Sequence, residues 1–304
     1  MKILMTGSTG FIGSHLTAIL EKTHTLVHLK SDLLDFNAAA EEVISHSPDI
    51  IVHLAARTEV EKSFYEQVTF SQINYTGSVN LIEAASKVKN LKNFVFASTM
   101  EVYGWQPISD IVKNGNTPDI FEAFDEHTIP NPNAPYAVAK YSVEKYLEYA
   151  HRCLGLPFTA IRQTNAYGRT DNDFFVTEQI ITQMLKNLDQ INLGYAEPYR
   201  NFIFISDLLA AWTTVIENPE IVNDGRILTI GPNNALKIKD YAELIAKKIG
   251  WNGTINWNTK PKRPGEIYWL NSNHNLITKL TGWAPKITID EGLDKTIAIW
   301  KNKL

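Results

Sequence analysis

Along the first 165 residues, two hydrophobic rhythms take turns. Short apolar, β-prone runs read as strands buried on both faces: "KILM" (2–5), "TLVHLK" (25–30), "DIIVHLA" (49–55), "NFVFAST" (93–99) and "FTAIRQTN" (158–165). Between them lie segments whose apolar residues recur at helical spacing, such as Phe11, Ile12, Leu16, Ile19 and Leu20, then "VNLIEAASKV" (79–88) and "YAVAKYSVEKYLEYAHR" (136–152). Buried strands alternating with crossover helices predict an α/β fold with a Rossmann-type, doubly wound parallel sheet.

Beyond residue 165 the rhythm loosens. Short strands ("NFIFI", "RILTI") and helices near 174–187, 206–218, 238–250 and 288–301 are separated by many Asn, Pro and Gly residues. This pattern predicts a dinucleotide-binding domain over 1–165 and a smaller α/β substrate-binding domain over 166–304, some of whose segments return to the first domain. "NGNTPD" and "IPNPNAP" read as loops, and no internal repeat or low-complexity tract interrupts the chain.

The first strand runs directly into "TGSTGFIGSH" (6–15). A strand that turns sharply into a helix needs a residue without Cβ at the bend, a second where a pyrophosphate meets backbone, and a third where helix and strand touch. Gly7, Gly10 and Gly13 have that spacing, and the helix N-terminus behind them offers free N–H groups to phosphate. The fingerprint expects an acidic residue about 20 positions on for the ribose hydroxyls, and Asp32 fits. Lys30 and Ser31 stand just before it, where a cation would instead accept the extra phosphate of NADP. The reading is NAD, with NADP as the alternative.

In "PYAVAK" (135–140), Tyr136 and Lys140 are four apart, so both project from one helix face. A nearby ammonium favours phenolate over phenol, which predicts a lowered tyrosine pKa and a general acid/base. Tyr141 and Lys145 repeat the spacing, but five residues of rotation turn them away from the first pair, and they read as surface residues. Pro135 suits helix entry and places Tyr136 in the first turn.

Composition removes several classes. With 304 residues and 44% hydrophobic content, the chain can bury one large core or two modest ones. A formal charge of −4 gives no basic surface for nucleic acid, and no apolar run approaches membrane-spanning length. The single cysteine, Cys153, rules out an intrachain disulfide, and "MKILMTG" reaches glycine before a signal-peptide core forms, so the cytoplasm is the expected address. No metal is expected.

"TGSTGFIG", "HLAA" (53–56), "STMEVYG" (98–104) and "PYAVAK", in that order, resemble the extended short-chain dehydrogenase/reductase family, specifically its NAD-dependent nucleotide-sugar epimerases and dehydratases. The likeness continues through "NAYG" (165–168), "YRNFIFISDLLAA" (199–211) and "KRPGEI" (262–267), and so covers nearly the whole chain. The resemblance implies Tyr136 as acid/base, Lys140 as its partner and holder of the nicotinamide ribose, and Thr99 as hydrogen-bond partner of the sugar hydroxyl. It implies that Gly7, Gly10 and Gly13, with Phe11 and Ile12, wrap the pyrophosphate, and that Leu54, Ala55 and Ala56 line the cofactor groove. Asp32 and Leu33 match an adenine-contacting pair, a second role for Asp32 beside the ribose. Arg200 and Arg263, with Asn165 beneath, would meet the diphosphate of a sugar nucleotide, as planar guanidinium forks suit phosphate oxygens.

The implied chemistry is proton removal from a C4 hydroxyl by Tyr136 with hydride transfer to nicotinamide. Dehydratases of the family often place an acid and then a glutamate after the threonine. Here Met100 fills the acid's position and Glu101 keeps the glutamate, which counts against a 4,6-dehydratase. The leading reading is therefore a nucleotide-sugar 4-epimerase; an NADPH-dependent 4-keto-sugar reductase is the rival, followed by a 4,6-dehydratase or decarboxylase. A dinucleotide-binding regulator without turnover would need no Thr99–Tyr136–Lys140 set. The segment from Trp105 to Pro130 is longer than the family's usual link, and so is a candidate lid or partner contact. The helix after "QIN", with Asn74, Leu81, Ile82 and Ala85, resembles one through which relatives form homodimers.

Overall fold

The computed structural model describes every residue except Asp119, Ile120 and Leu188. Asp119 closes the "NGNTPD" loop and Ile120 belongs to the 105–130 segment, so those two positions of the expected loops lie outside the described residues.

Five strands from the first half form the predicted sheet: β1 (Lys2–Thr6), β2 (Thr25–His28), β3 (Ile50–His53), β4 (Asn93–Thr99) and β5 (Phe158–Gln163). A sixth, Asp224–Ile230, comes from the second half and pairs with β5, giving the order Asp224–Ile230, β5, β4, β3, β1, β2. Every pairing in this sheet is parallel. Chain order reverses between β1 and β3, where such sheets leave a crevice at their carboxyl ends.

The period-2 alternation of a strand sorts residues to the two faces. Ile3, Met5, Ile50, Val52, Val95 and Ala97 join one core with Leu16 and Leu20 of α1 (Phe11–Leu20) and with Leu208, Trp212 and Ile216 of the helix Ile205–Glu217. Leu4, Ile51, Phe94 and Phe96 face the opposite way, onto Val43 of α2 (Phe36–His46), Leu81, Ile82 and Ala85, and Val143 and Leu147 of the helix Pro135–Leu154. Both faces are covered, which is why these strands read as continuous apolar runs.

Two further cores complete the molecule. Tyr167, Ile180, Phe202, Tyr241 and Trp300 gather helices from the second half. Met100, Tyr103, Ile108, Val112 and Phe124 pack with Tyr199 and the run Ile267–Leu270. The 105–130 segment supplies much of this last core. It forms a short helix, Pro107–Lys113, buries Phe124, and its Glu126 accepts from the Thr229 backbone and hydroxyl, both at 2.7 Å. None of its described residues borders the main cavity, and the segment is tied instead to the core it shares with Tyr199 and Ile267–Leu270.

Asn74, Leu81, Ile82 and Ala85 are also placed differently from a subunit contact: all four are buried within this chain. Their apolar spacing reports the face turned to the subunit's own sheet. Asn74 is held there by accepting from the Arg57 N–H at 2.8 Å and donating to its carbonyl at 2.9 Å.

Candidate active site

The β1–α1 turn needs its glycines for space. Gly7 has φ +70, and a Cβ there would lie 2.5 Å from the Ala55 nitrogen, at the end of β3. A Cβ on Gly13 would overlap the Gly7 carbonyl. At Gly10 the nearest atom to such a Cβ is the Gly7 oxygen at 3.4 Å, so the side toward the cavity stays open. Gly10 caps α1 in extended conformation, no side chain bonds to the cap, and the first turn holds no acid. The free N–H groups of that turn therefore face a space where backbone alone approaches a ligand, a cradle that fits a diphosphate.

That turn opens onto a cavity of about 780 Å³. Its lining brings together Gly7, Gly10, Phe11, Ile12, Gly13, Leu54, Ala55 and Ala56 with Thr99, Glu101, Tyr136 and Lys140 and with Asn165, Arg200 and Arg263. Sequence positions 160 residues and more apart are thus brought to one space. Asp32 and Leu33 are not on its wall. Asp32 is exposed and its carboxylate accepts from the Leu34 N–H at 2.9 Å, while Leu33 packs toward Gly77. At the same corner, Glu42 of α2 accepts from the Lys30 N–H at 3.0 Å, the Ser31 N–H at 2.8 Å and the Ser31 hydroxyl at 2.6 Å.

Pro135 opens the 20-residue helix as expected, and Gly155 ends it with φ +72. Tyr136, Lys140 and Glu144, each four residues on, share its buried face. Lys140 donates to the Ala97 carbonyl at 2.8 Å and lies 4.7 Å from the Phe96 ring centre. Burial draws its pKa down to about 7, with Glu144 pulling the other way. Tyr136 is pushed well up by burial and then by Glu101, while a hydrogen bond with Thr99 lowers it. The expected lysine-driven lowering of the phenol does not arise: burial and Glu101 set its direction, and burial favours the neutral form of both groups. Tyr141 and Lys145 lie apart, on a surface hollow with Tyr75, Tyr146 and Tyr149.

Beneath Lys140, Glu144 takes two hydrogen bonds from Arg162, at 3.0 and 2.7 Å, and a third from the Ser98 hydroxyl. Both partners are almost fully buried. Elsewhere along the cavity, Arg200 donates to Glu266 at 3.1 Å, and Arg263 stands 3.7 Å from Glu61. Glu101 is pushed up by burial, an effect opposed by Arg200 and Arg263 and reinforced by Glu266. Asn165 donates to the Asn201 carbonyl at 3.2 Å. Met100 is buried, and the Thr164 hydroxyl points at its sulfur. Among the described residues no cluster of three or more His, Cys, Asp or Glu side chains is arranged to hold a metal ion, and no helix is long and apolar enough to cross a membrane.

Sequence reasoning missed Glu144, Arg162 and Glu266. Glu144 carried a signal, since it continues the four-residue spacing of Tyr136 and Lys140. Glu266 sat inside the quoted "RPGE". Arg162 reads as one more strand residue until the fold sets it against the helix.

The chain is 27% identical to dTDP-D-glucose 4,6-dehydratase of Dictyostelium discoideum, across 99% of this chain and 82% of that one. It is 26% identical to GDP-6-deoxy-D-mannose reductase of Pseudomonas aeruginosa, across 100% and 98%. Among solved structures, UDP-glucose 4-epimerase of Thermotoga maritima with UDP-glucose superposes with a TM-score of 0.85 at 26% identity, covering 100% of this chain and 99% of that one. The family model described as NAD dependent epimerase/dehydratase matches residues 3–231, from β1 through the edge strand of the sheet, and with the glycine cradle and Thr99, Tyr136 and Lys140 lining one cavity the chain belongs to that family of NAD-dependent enzymes.

Proposed function

We propose that this chain is an NAD-dependent nucleotide-sugar 4-epimerase. The observation that carries the reading is the convergence of Tyr136 and Thr99 on the cavity shared by the glycine cradle and Arg200. Gly7, Gly10, Phe11, Ile12 and Gly13 would hold the dinucleotide's diphosphate, Leu54, Ala55 and Ala56 its groove, Lys140 the ribose, and Asp32 and Leu33 the adenosine end. Asn165, Arg200 and Arg263 would take the diphosphate of the sugar nucleotide.

When bound, nicotinamide accepts hydride from the sugar's C4 and returns it. Thr99 and Tyr136 would hold the C4 hydroxyl; Tyr136 takes its proton as the ketone forms and gives it back to the C4 oxygen as the ketone is reduced. Because burial favours the phenol, this transfer needs a cation close by, and Lys140, titrating about neutrality, supplies one when protonated. Return of hydride to the opposite face requires the keto sugar to turn over. Glu101 adds a carboxyl group to the same cavity lining. Met100 supports epimerase over 4,6-dehydratase, since a thioether next to Thr99 has no proton to give a departing hydroxyl.

A 4-keto-sugar reductase using NADPH is the second reading, favoured by exposed Lys30 at the end of β2. Against it, Glu42 sets a carboxylate at that corner, where a 2′-phosphate would have to sit. We further infer a homodimer, formed by Tyr65, Val68, Val138 and Tyr149, apolar residues exposed on or beside the neighbouring helices Gln67–Ser71 and Pro135–Leu154, and a cytoplasmic address, which suits the lone exposed Cys153.

Mass spectrometry of cofactor released by denaturing the freshly purified protein tests the reading. Retained NAD, with conversion of UDP-glucose to its C4 epimer without added cofactor, is the expected result. A chain that releases no cofactor and binds NADPH more tightly than NADH would put the reductase in its place.

A further inference from the structure

Arg169 follows the short strand Asn165–Tyr167, has 8% of its surface exposed, and borders the cavity. It is under-bonded for so buried a cation. One terminal nitrogen donates to the Ala166 carbonyl. The nearest carboxylate oxygen, Oε2 of Glu178, is 3.8 Å away, beyond hydrogen-bond reach. Among the described residues, Arg169 Nε and Glu178 Oε2 are both buried without a hydrogen-bond partner. The other carboxylate oxygen of Glu178 is taken by the N–H groups of Gly168 and Arg169, each at 2.9 Å, which fixes the backbone rather than the guanidinium.

The guanidinium carbon lies over two rings, 4.2 Å from the centre of Phe11 and 3.7 Å from that of Phe175. Phe11 is the residue after Gly10, so this contact fastens the cation at the mouth of the glycine cradle. A guanidinium has five donors, and leaving the buried Nε–H unused costs free energy that an anion would offset. Contact with the rings holds the cation without using its N–H groups, which leaves the fork for a phosphate.

We propose that Arg169 is a diphosphate ligand reaching from the second half of the chain across the glycine cradle to the bound dinucleotide, so that the cofactor is held from both sides. This rests on the dinucleotide reading above. The nucleotide sugar also carries a diphosphate, but Phe11, next to Gly10 in the glycine turn, fastens Arg169 to the cofactor's cradle.

Titration calorimetry of the chain, freed of any retained cofactor, with NAD, ADP-ribose and UDP separates the outcomes, with urea unfolding of each variant as the folding control. Arg169→Met keeps the stem and removes the fork. It is expected to weaken NAD and ADP-ribose binding at least tenfold and leave UDP within about twofold, with Arg169→Lys falling between. NAD and ADP-ribose bound as tightly by a folded variant as by wild type would make Arg169 a purely structural cation. Loss of UDP binding with NAD retained would assign it to the sugar nucleotide; either result overturns the proposal. If the methionine variant does not fold, the lysine variant decides by the same comparison. A wild-type chain that binds neither NAD nor NADPH would sink the dinucleotide reading itself, and this inference with it.

Discussion

Arg200 donates to Glu266 across 3.1 Å in the wall of the cavity, and the two side chains are only 12% and 8% exposed. The cation proposed to receive the substrate's diphosphate is thus neutralised by a carboxylate that an anionic ligand must compete with. Removing one member of a buried pair leaves the other uncompensated, at a cost of about 3 kcal/mol. Glu266→Gln is therefore expected to destabilise the ligand-free protein by about that amount and to tighten UDP binding several-fold. Urea unfolding and UDP titration read both effects; weaker UDP binding in the variant would show that Glu266 orients Arg200 rather than competing for it.

Tyr136 can be stripped of its chemistry with little change of shape. Tyr136→Phe should lower turnover of a nucleotide sugar by about 10²- to 10⁴-fold, the usual range for a lost acid/base. Retained or titrated NAD should stay within about threefold of wild type, because the proposed cradle is elsewhere. Undiminished turnover would remove the mechanism.

The depressed pKa of Lys140 makes stability depend on pH. An unfolded lysine loses its proton near 10.5, whereas Lys140 in the folded protein does so at about 7. Between those values the unfolded chain binds one more proton than the folded chain, so stability rises with pH through that window and the penalty is complete below it. The contribution to the slope reaches about 1 kcal/mol per pH unit at mid-window. Unfolding midpoints of the cofactor-free protein measured between pH 7 and 10 should show this rise, and Lys140→Met should flatten it. An equal slope in both proteins would mean that Lys140 stays charged where it is.

Glu144 supports that same lysine from below. Glu144→Gln leaves Arg162 buried and unneutralised, an expected loss of about 3–5 kcal/mol. It also removes the group that holds the Lys140 pKa up, so the pH window just described should extend further to the acid side. Thermal unfolding across pH, compared with wild type, tests both parts; a variant as stable as wild type would show that the Arg162 charge finds another partner.

What the sequence makes legible here is local. The glycine turn and the Tyr136–Lys140 spacing are short-range geometry, and the structure places them where that geometry requires. The strand pattern was readable for the same reason, because burial on both faces leaves apolar runs such as "NFVFAST". Pairings across the fold were not: Arg162 meets Glu144, Arg200 meets Glu266 and Arg169 meets Phe11 only after the chain has closed on itself. The helical apolar stripe of Leu81, Ile82 and Ala85 fits an inner face and an outer one equally well, and only packing chooses. Burial likewise decided the Tyr136 phenol against the simpler expectation from its neighbouring lysine.

The edge strand Asp224–Ile230 bears on the order in which this protein is made. When residues 1–165 have left the ribosome, the glycine turn, Thr99, Tyr136 and Lys140 are all synthesised, yet β5 still has a bare edge. The face carrying Ile3, Met5 and Val95 still waits for Leu208, Trp212, Leu228 and Ile230. An uncovered apolar sheet with an open edge is prone to pair with its neighbours. The nascent chain thus carries every group of the proposed proton relay before it can hold them in place, and no competent enzyme can form before residue 230 arrives.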